Sequence, residues 1–255
     1  MAGDRKLSYA KHMNRRQLLA SLTAAIILPP SLAHAAEWET RLIKAMIGDE
    51  LQFGLHIKLA PGWKTYWRVP GVAGIPPLLK VEGADIDHLE INYPLPLRIT
   101  DESGEAIGYH DEVVFILKPV LSKVLHRSAA ESKVSAFFGV CKEICRPAKF
   151  QGALTTAISD DTVMKKFIAQ VPMPADFITS AQHSGDQLAL NLKQPLDDIF
   201  VEGATELYFR KPVFGDGHAT FKIDGLAEGK RLSGEKLRIT GSSQGKGLEQ
   251  TIQVT

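Results

Sequence analysis

The sequence predicts an all-β protein, two antiparallel β-sandwich domains joined by a short helical linker. Three observations carry this: hydrophobic alternation with a period of two, frequent glycine and proline punctuation, and one helical pattern in mid-chain. Leu51, Phe53, Leu55, Ile57 and Leu59 alternate with Gln52, Gly54, His56 and Lys58. Such a strand is expected to bury one face and wet the other. Val113–Leu117 predicts a strand buried on both faces, and Val134–Val140 one that ends at Cys141. Pro61-Gly62, Pro70-Gly71, Pro76-Pro77, Pro94, Pro96 and Ser103-Gly104 mark turns between them. Ser159 or Asp160 can cap a helix that presents Val163, Phe167 and Ile168 on one face. Pro172 and Pro174 stop it. The expected division is therefore a first domain at 36–158, a helical linker at 159–174 and a smaller sandwich at 175–255. In that last part Leu188, Leu190 and Leu192 alternate with Ala189 and Asn191. Further strands are expected around Leu207–Phe209, Phe221–Ile223, Leu237–Ile239 and Thr251–Val254.

A chain of 255 residues suffices for two small domains, and 44% hydrophobic with 23% charged residues is ordinary for a packed globular protein. The net charge of +1 argues against nucleic acid as a partner. Residues 1–35 form an expected export signal. There Arg5, Lys6, Lys11, Arg15 and Arg16 face only Asp4, which leaves the remainder of the chain at −3. Arg15-Arg16 precede an apolar stretch from Leu18 to Leu28 that is too short to span a bilayer. Pro29-Pro30 break it, and Ala33-His34-Ala35 offers a small-x-small cleavage site. Paired arginines followed by two leucines suggest the twin-arginine route. The alternative is an uncleaved amphipathic N-terminal helix. No later stretch reaches 18 apolar residues, so no membrane span is expected in the mature chain.

Export into an oxidising compartment makes the two cysteines an expected disulfide, Cys141-Cys145. Four residues of extended strand would cover about 13 Å, whereas a disulfide needs Cα atoms roughly 4.4–6.8 Å apart. The chain must therefore turn between them, and a strand ending near Val140 with a return strand after Pro147 is expected. Closing so short a ring contributes only about 2 kcal/mol, against about 4.7 for a loop of 100 residues. The bond is thus a poor staple and a good place to expose two sulfurs. Lys142 and Arg146 flank the pair and favour a thiolate, while Glu143 opposes it. Three readings stay open on the residues alone: redox exchange, a structural disulfide, and Cu(I) held by the Cys141 and Cys145 thiolates.

Other groups are weaker. The eight histidines show no metal spacing. Asp101-Glu102 and Asp111-Glu112 are acidic pairs near turns, ordinary for solvated loops. Trp63, Tyr66 and Trp67 form an aromatic cluster suited to a core or to a partner-binding loop. No phosphate loop, serine-nucleophile elbow or zinc-helix motif occurs, and no cofactor is implied.

The segment Leu59-Ala60-Pro61-Gly62-Trp63-Lys64-Thr65-Tyr66-Trp67-Arg68, with Pro70-Gly71 and Gly74-Ile75-Pro76-Pro77, resembles the N-terminal periplasmic region of the DsbD/ScsB thiol–disulfide interchange proteins. Tyr93-Pro94-x-Pro96, Gly108-Tyr109-x-Asp111-Glu112 and Val140-Cys141-Lys142-Glu143-Ile144-Cys145-Arg146-Pro147 fit the same pattern, as does Leu248-Glu249-Gln250-Thr251. The resemblance implies immunoglobulin-like sandwiches, with Cys141 and Cys145 as the exchanging pair. It also implies that Asp101 and Glu102 match acidic residues of a loop shielding the cysteines, and that Tyr109 matches an aromatic beyond it. The ScsB branch is associated with copper tolerance. The Cys-x3-Cys spacing differs from the longer one of DsbD, and Ser103-Gly104 stands where DsbD has a shielding phenylalanine.

The function so implied is periplasmic thiol–disulfide interchange of the protein-disulfide reductase type. A thioredoxin-like or membrane reductase protein would donate electrons, and periplasmic disulfide-bearing proteins would accept them. No membrane or thioredoxin-like domain follows in the sequence, so either a separate donor or loss of the shuttle role is expected. Cys141 is favoured over Cys145 as the attacking thiolate, with Lys142 in support. The competing expectation is a binding or scaffold module, with a permanent disulfide or Cu(I)-binding thiolates.

Overall fold

The computed structural model describes residues 36–72, 74–83, 86–101, 104–121, 132–204 and 206–255. The expected export signal and Glu102 lie outside the described residues. The first half forms β1 (Trp38–Ile47), β2 (Glu50–Leu59), β3 (Lys64–Gly71), β4 (Leu78–Glu82) and β5 (Ile86–Asn92). Then come β6 (Leu97–Asp101), β7 (Gly104–His110), β8 (Glu112–Leu121), β9 (Lys133–Cys141) and β10 (Cys145–Ala153). A short β11 (Ile158–Ser159) leads into helix α1 (Asp161–Ile168). The second half adds β12 (Met173–Pro174), β13 (Ile178–Ser184), β14 (Gln187–Leu192), β15 (Asp198–Glu202) and β16 (Tyr208–Phe209). It ends with β17 (Val213–Gly215), β18 (His218–Asp224), β19 (Lys236–Ser243) and β20 (Lys246–Gln253).

These strands make two sandwiches of antiparallel sheets. In the first, the order β11-β1-β2-β8-β5 packs against β10-β9-β3-β7-β6, with β4 also paired to β9. Leu55, Ile57 and Phe115 from one sheet meet Trp67, Tyr109, Phe138 and Val140 from the other in a single core. In the second, β12-β20-β19-β15 packs against β13-β14-β18-β16, with β17 on β18. Phe177, Leu188, Leu190, Phe221 and Ile239 fill that core. Two short pairings are parallel, β11 with β1 and β12 with β20.

The sandwiches are bolted together. Phe200 of β15 leaves its own sandwich to join the first core, edge-on to Trp67 with centroids 5.8 Å apart. Arg68 of β3 donates to Glu202 at 2.9 Å and to Glu249 at 2.9 Å. Arg98 of β6 donates to Asp198, Glu105 and the Ile199 carbonyl. Burial works against the Arg98 charge, but the Asp198 and Glu105 carboxylates outweigh it and raise its pKa. Residues Ala36–Thr255 accordingly form one compact unit.

Helix α1 explains the main departure from the expected strand pattern. Asp160 caps it by accepting the Val163 amide at 3.2 Å. Its buried Met164 and Phe167 belong to the first core, so the segment covers that sandwich as well as joining the two. The face of β2 expected to be wet is covered as a result: Gly54 and His56 are buried there. A Cβ on Gly54 would stand 2.5 Å from Val114 Cγ1 and 2.8 Å from Met164 Sδ.

His56 is 1% exposed, and that burial favours its neutral form. Arg41 Nε donates to Nδ1 at 3.2 Å, which leaves Nε2–H to donate to Glu112 at 2.9 Å. Burial lowers the His56 pKa, the Glu112 hydrogen bond opposes this, and Arg41 and Lys58 add to the lowering. Lys166 of α1 donates to the same carboxylate at 2.7 Å, and Arg41 pairs with Asp160 at 3.1 Å.

Gly54→Ala should cost roughly 1–3 kcal/mol through overpacking beneath α1. A urea midpoint equal to that of the parent protein would show that the helix rides outward freely. The unfolded chain binds a proton at His56 more readily than the folded one, so stability is full above the ordinary histidine pKa and falls as pH drops through it. Melting temperature should therefore decline from pH 7.5 to 5.5, and His56→Gln should flatten that decline. Identical slopes in both proteins would exclude His56 as the cause.

Candidate functional site

Strands β9 and β10 form a hairpin whose loop is Lys142-Glu143-Ile144. Its register sets Cys145 opposite Cys141, then Arg146 opposite Val140. The two cysteines close a disulfide across the neck, with S–S 2.04 Å and Cα atoms 4.1 Å apart. The turn required by the spacing is present, and the return strand starts at Cys145 rather than after Pro147.

The two sulfurs live in different surroundings. Strand β10 is at the sheet edge, whereas β9 is flanked by β3 and β4. Cys141 is 1% exposed and packs with Tyr66, Ile99 and Ala106, while Cys145 is exposed. The Tyr66 hydroxyl donates to Cys141 Sγ at 2.8 Å and lies 3.2 Å from Cys145 Sγ. A disulfide sulfur carries no hydrogen, so the phenol is the donor. Burial raises the Tyr66 pKa and the Asp101 carboxylate raises it further, which keeps the proton on the phenol. Gly139 leaves room for the ring: a Cβ there would stand 2.8 Å from Ile75 and 3.1 Å from Tyr66.

Strand β3 supplies the floor. Lys64 is in register with Cys141 and Thr65 with Val140, and Thr65 Oγ1 donates to the Gly139 carbonyl at 2.8 Å. Alternation then puts Lys64 and Tyr66 on the cysteine face and Thr65 and Trp67 on the other. Lys64 is 2% exposed, and its Nζ donates to Asp101 Oδ2 at 2.5 Å from the end of β6.

The expected site residues divide. The structure brings Asp101 to the cysteine face through Lys64. Tyr109 is not brought there: it is in register with Thr65, is buried in the first core, and donates its hydroxyl to the Pro94 carbonyl at 2.8 Å. The Lys142 side chain is exposed and runs past Gly62, whose Cβ would stand 3.4 Å from Lys142 Cε. Arg146 is engaged by Glu37 at 2.5 Å, with its guanidinium 5.6 Å from the Trp63 ring centroid. Trp63, Lys142, Ile144, Arg146, Glu143 and Glu37 line a cavity of about 330 Å³ beside the hairpin tip, and Ile144 is 75% exposed. Among the described residues, no three His, Cys, Asp or Glu side chains gather as metal ligands.

Residues 34–156 match the family model of the thiol:disulfide interchange protein DsbD, N-terminal. The match spans a little under half of the 255 residues. The N-terminal periplasmic domain of ScsB from Proteus mirabilis is similar in fold at a TM-score of 0.67 and 20% identity, covering 88% of this chain and 96% of that one. The reduced DsbD N-terminal domain of Neisseria meningitidis gives 0.31 at 16% identity, over 46% of this chain and 83% of that one. That score is too low to speak to fold. No curated protein sequence matches the chain. The matched region, similar to the DsbD N-terminal family, contains the closed Cys141–Cys145 bond, and the chemistry of the site is that of a disulfide-forming pair.

Two residues of this arrangement escaped the sequence. Tyr66 stood out only as part of an aromatic cluster, and Lys64 not at all. Alternation within Lys64-Thr65-Tyr66-Trp67 separates the two faces, but only the β3–β9 register shows that one of them carries the sulfurs. Cys145, and not Cys141, is the exposed sulfur of the pair. In the reduced protein, limiting iodoacetamide should modify Cys145 well before Cys141, as read by peptide mass mapping. Equal modification would show that the burial of Cys141 does not outlast reduction.

Proposed function

We propose that this chain is a periplasmic thiol–disulfide interchange protein whose reacting pair is Cys141 and Cys145. The observation that carries the reading is the asymmetry of the bond: an exposed Cys145 sulfur joined to a buried Cys141 sulfur that already holds a phenol hydrogen bond. A donor thiolate attacks Cys145 Sγ, the Cys141–Cys145 bond breaks, and Cys141 leaves with the electron pair as a thiolate. The donor's second thiolate then attacks its own sulfur in the mixed disulfide and expels Cys145. The donor ends as a disulfide and this protein as a dithiol, with both protons supplied by the donor thiols. Toward an acceptor disulfide the steps run in reverse, with Cys145 attacking and Cys141 resolving.

Tyr66 donates to the leaving sulfur, and its hydroxyl remains protonated throughout because burial and Asp101 both disfavour the phenolate. Asp101 holds Lys64 and helps to keep the Tyr66 phenol protonated. The donor is a thioredoxin-like or membrane reductase protein, and the acceptors are periplasmic proteins with accessible disulfides. The export signal at 1–35 and the family of the matched region support that compartment. The short ring supports exchange over stapling, since its closure contributes only about 2 kcal/mol.

In periplasmic extract, Cys141→Ala leaves an exposed thiolate with no resolving partner. It should accumulate mixed disulfides on non-reducing gels, and Cys145→Ala should trap far fewer. Absence of adducts with either variant would refute exchange with periplasmic proteins.

A further inference from the structure

Lys64 is the least expected group on the cysteine face. Its side chain is 2% exposed, yet it ends in an ammonium paired with Asp101, whose side chain is 37% exposed. A buried ion pair is weak support for stability, because apolar residues of similar size often serve as well or better. The placement of this one is specific. Lys64 is the cross-strand partner of Cys141, and partners in an antiparallel pair have Cβ atoms about 4.5–5.5 Å apart. On the other side of β3 its partner is His110, whose ring faces the Trp63 carbonyl at 3.2 Å. Tyr66, two residues along the same face, holds both sulfurs. Among the described residues, the face around the buried sulfur carries Lys64, Asp101 and Tyr66. The two cations expected to act there do not converge on it, since Lys142 extends into solvent and Arg146 is engaged by Glu37.

We infer that Lys64 is a positioning residue of the exchange reaction: its buried ammonium, restrained by Asp101, stabilises the negative charge that collects on Cys141 when the disulfide opens. The inference rests on the exchange reading above and names the charge that drives it. In the closed bond both sulfurs are neutral and the ammonium gains nothing from them. As a thiolate attacks Cys145, the electron pair of the breaking bond moves onto Cys141, the cross-strand partner of the residue that carries the buried positive charge. A better-stabilised leaving thiolate departs faster, and a reduced form so stabilised makes the pair more oxidising. Asp101 has two opposed effects: it holds Lys64 in place, and its own negative charge tempers the field at sulfur. Removing the carboxylate charge and removing the ammonium should therefore push the reaction in opposite directions, which a merely structural ion pair would not do.

The test uses dithiothreitol as the attacking dithiol, which is oxidised to its cyclic disulfide as the protein pair is reduced. Lys64→Met keeps the length of the side chain and removes its charge. It should slow reduction roughly three- to tenfold and shift the glutathione equilibrium toward the disulfide. Asp101→Asn keeps a hydrogen-bonding side chain and removes the opposing charge. It should speed reduction and shift the same equilibrium toward the dithiol. Unchanged rates in both variants, or changes of the same sign, overturn the inference. Should Lys64→Met not fold, Asp101→Asn decides alone: acceleration supports the inference, and an unchanged or slower rate overturns it. No cellular partner enters this measurement, so a failure to trap mixed disulfides and a failure here are separate results.

Discussion

The site depends on one short stretch of pairing, in which Lys64 and Thr65 of β3 are in register with Cys141 and Val140 of β9. Side chains along a strand alternate, so a slip of one residue would carry Lys64 and Tyr66 into the core and bring Thr65 and Trp67 to the sulfurs. Several independent features oppose that slip. Trp67 is fully buried and packs against Phe200, and Thr65 is tied to the Gly139 carbonyl. Phe138 and Val140, the neighbours of Gly139 along β9, occupy the same core. The chemistry on the outer face is thus fixed by packing on the inner one.

The second sandwich reinforces the same strands from their far ends. Arg68 continues β3 beyond Tyr66 and Trp67 and is held by Glu202 and Glu249. Arg98 lies three residues before Asp101 on β6 and is held by Asp198 and Glu105. Glu105 also accepts the Tyr208 hydroxyl, and the shared carboxylate together with burial raises the Tyr208 pKa. Two of the strands that carry the site, β3 and β6, are therefore each anchored by an arginine with several partners. A charged fork with more than one acceptor fixes direction as well as distance. This gives the cysteine-free second half a role in the geometry of the first.

Much of this was legible in the sequence, and the rest was hidden for identifiable reasons. Alternation at Leu188 and Leu190, the apolar run Val113–Leu117 and the cap at Asp160 each became the element they predicted. The ring closed by Cys141 and Cys145 followed from their spacing once the chain was expected to turn. His56 was misplaced because alternation describes a strand with one covered face, and α1 arrives from more than a hundred residues away to cover the second. Tyr109 was expected to support the site as the match of an aromatic beyond the shielding loop, and its parity on β7 sends it to the core. Lys64 was invisible because a lone lysine in a sequence is expected in solvent. Its burial is a product of register, which single-strand patterns do not contain.

The hairpin that carries the cysteines is short at its tip and long in its stem. Only Lys142, Glu143 and Ile144 lie between the two sulfurs, while the stem pairs residue by residue down to Lys133 and Ala153. The stem is held by backbone pairing well beyond the single position that the bond joins. A bond so placed spans the neck of a hairpin already knit along its length, so what it governs is the few ångströms around sulfur rather than the course of the strands.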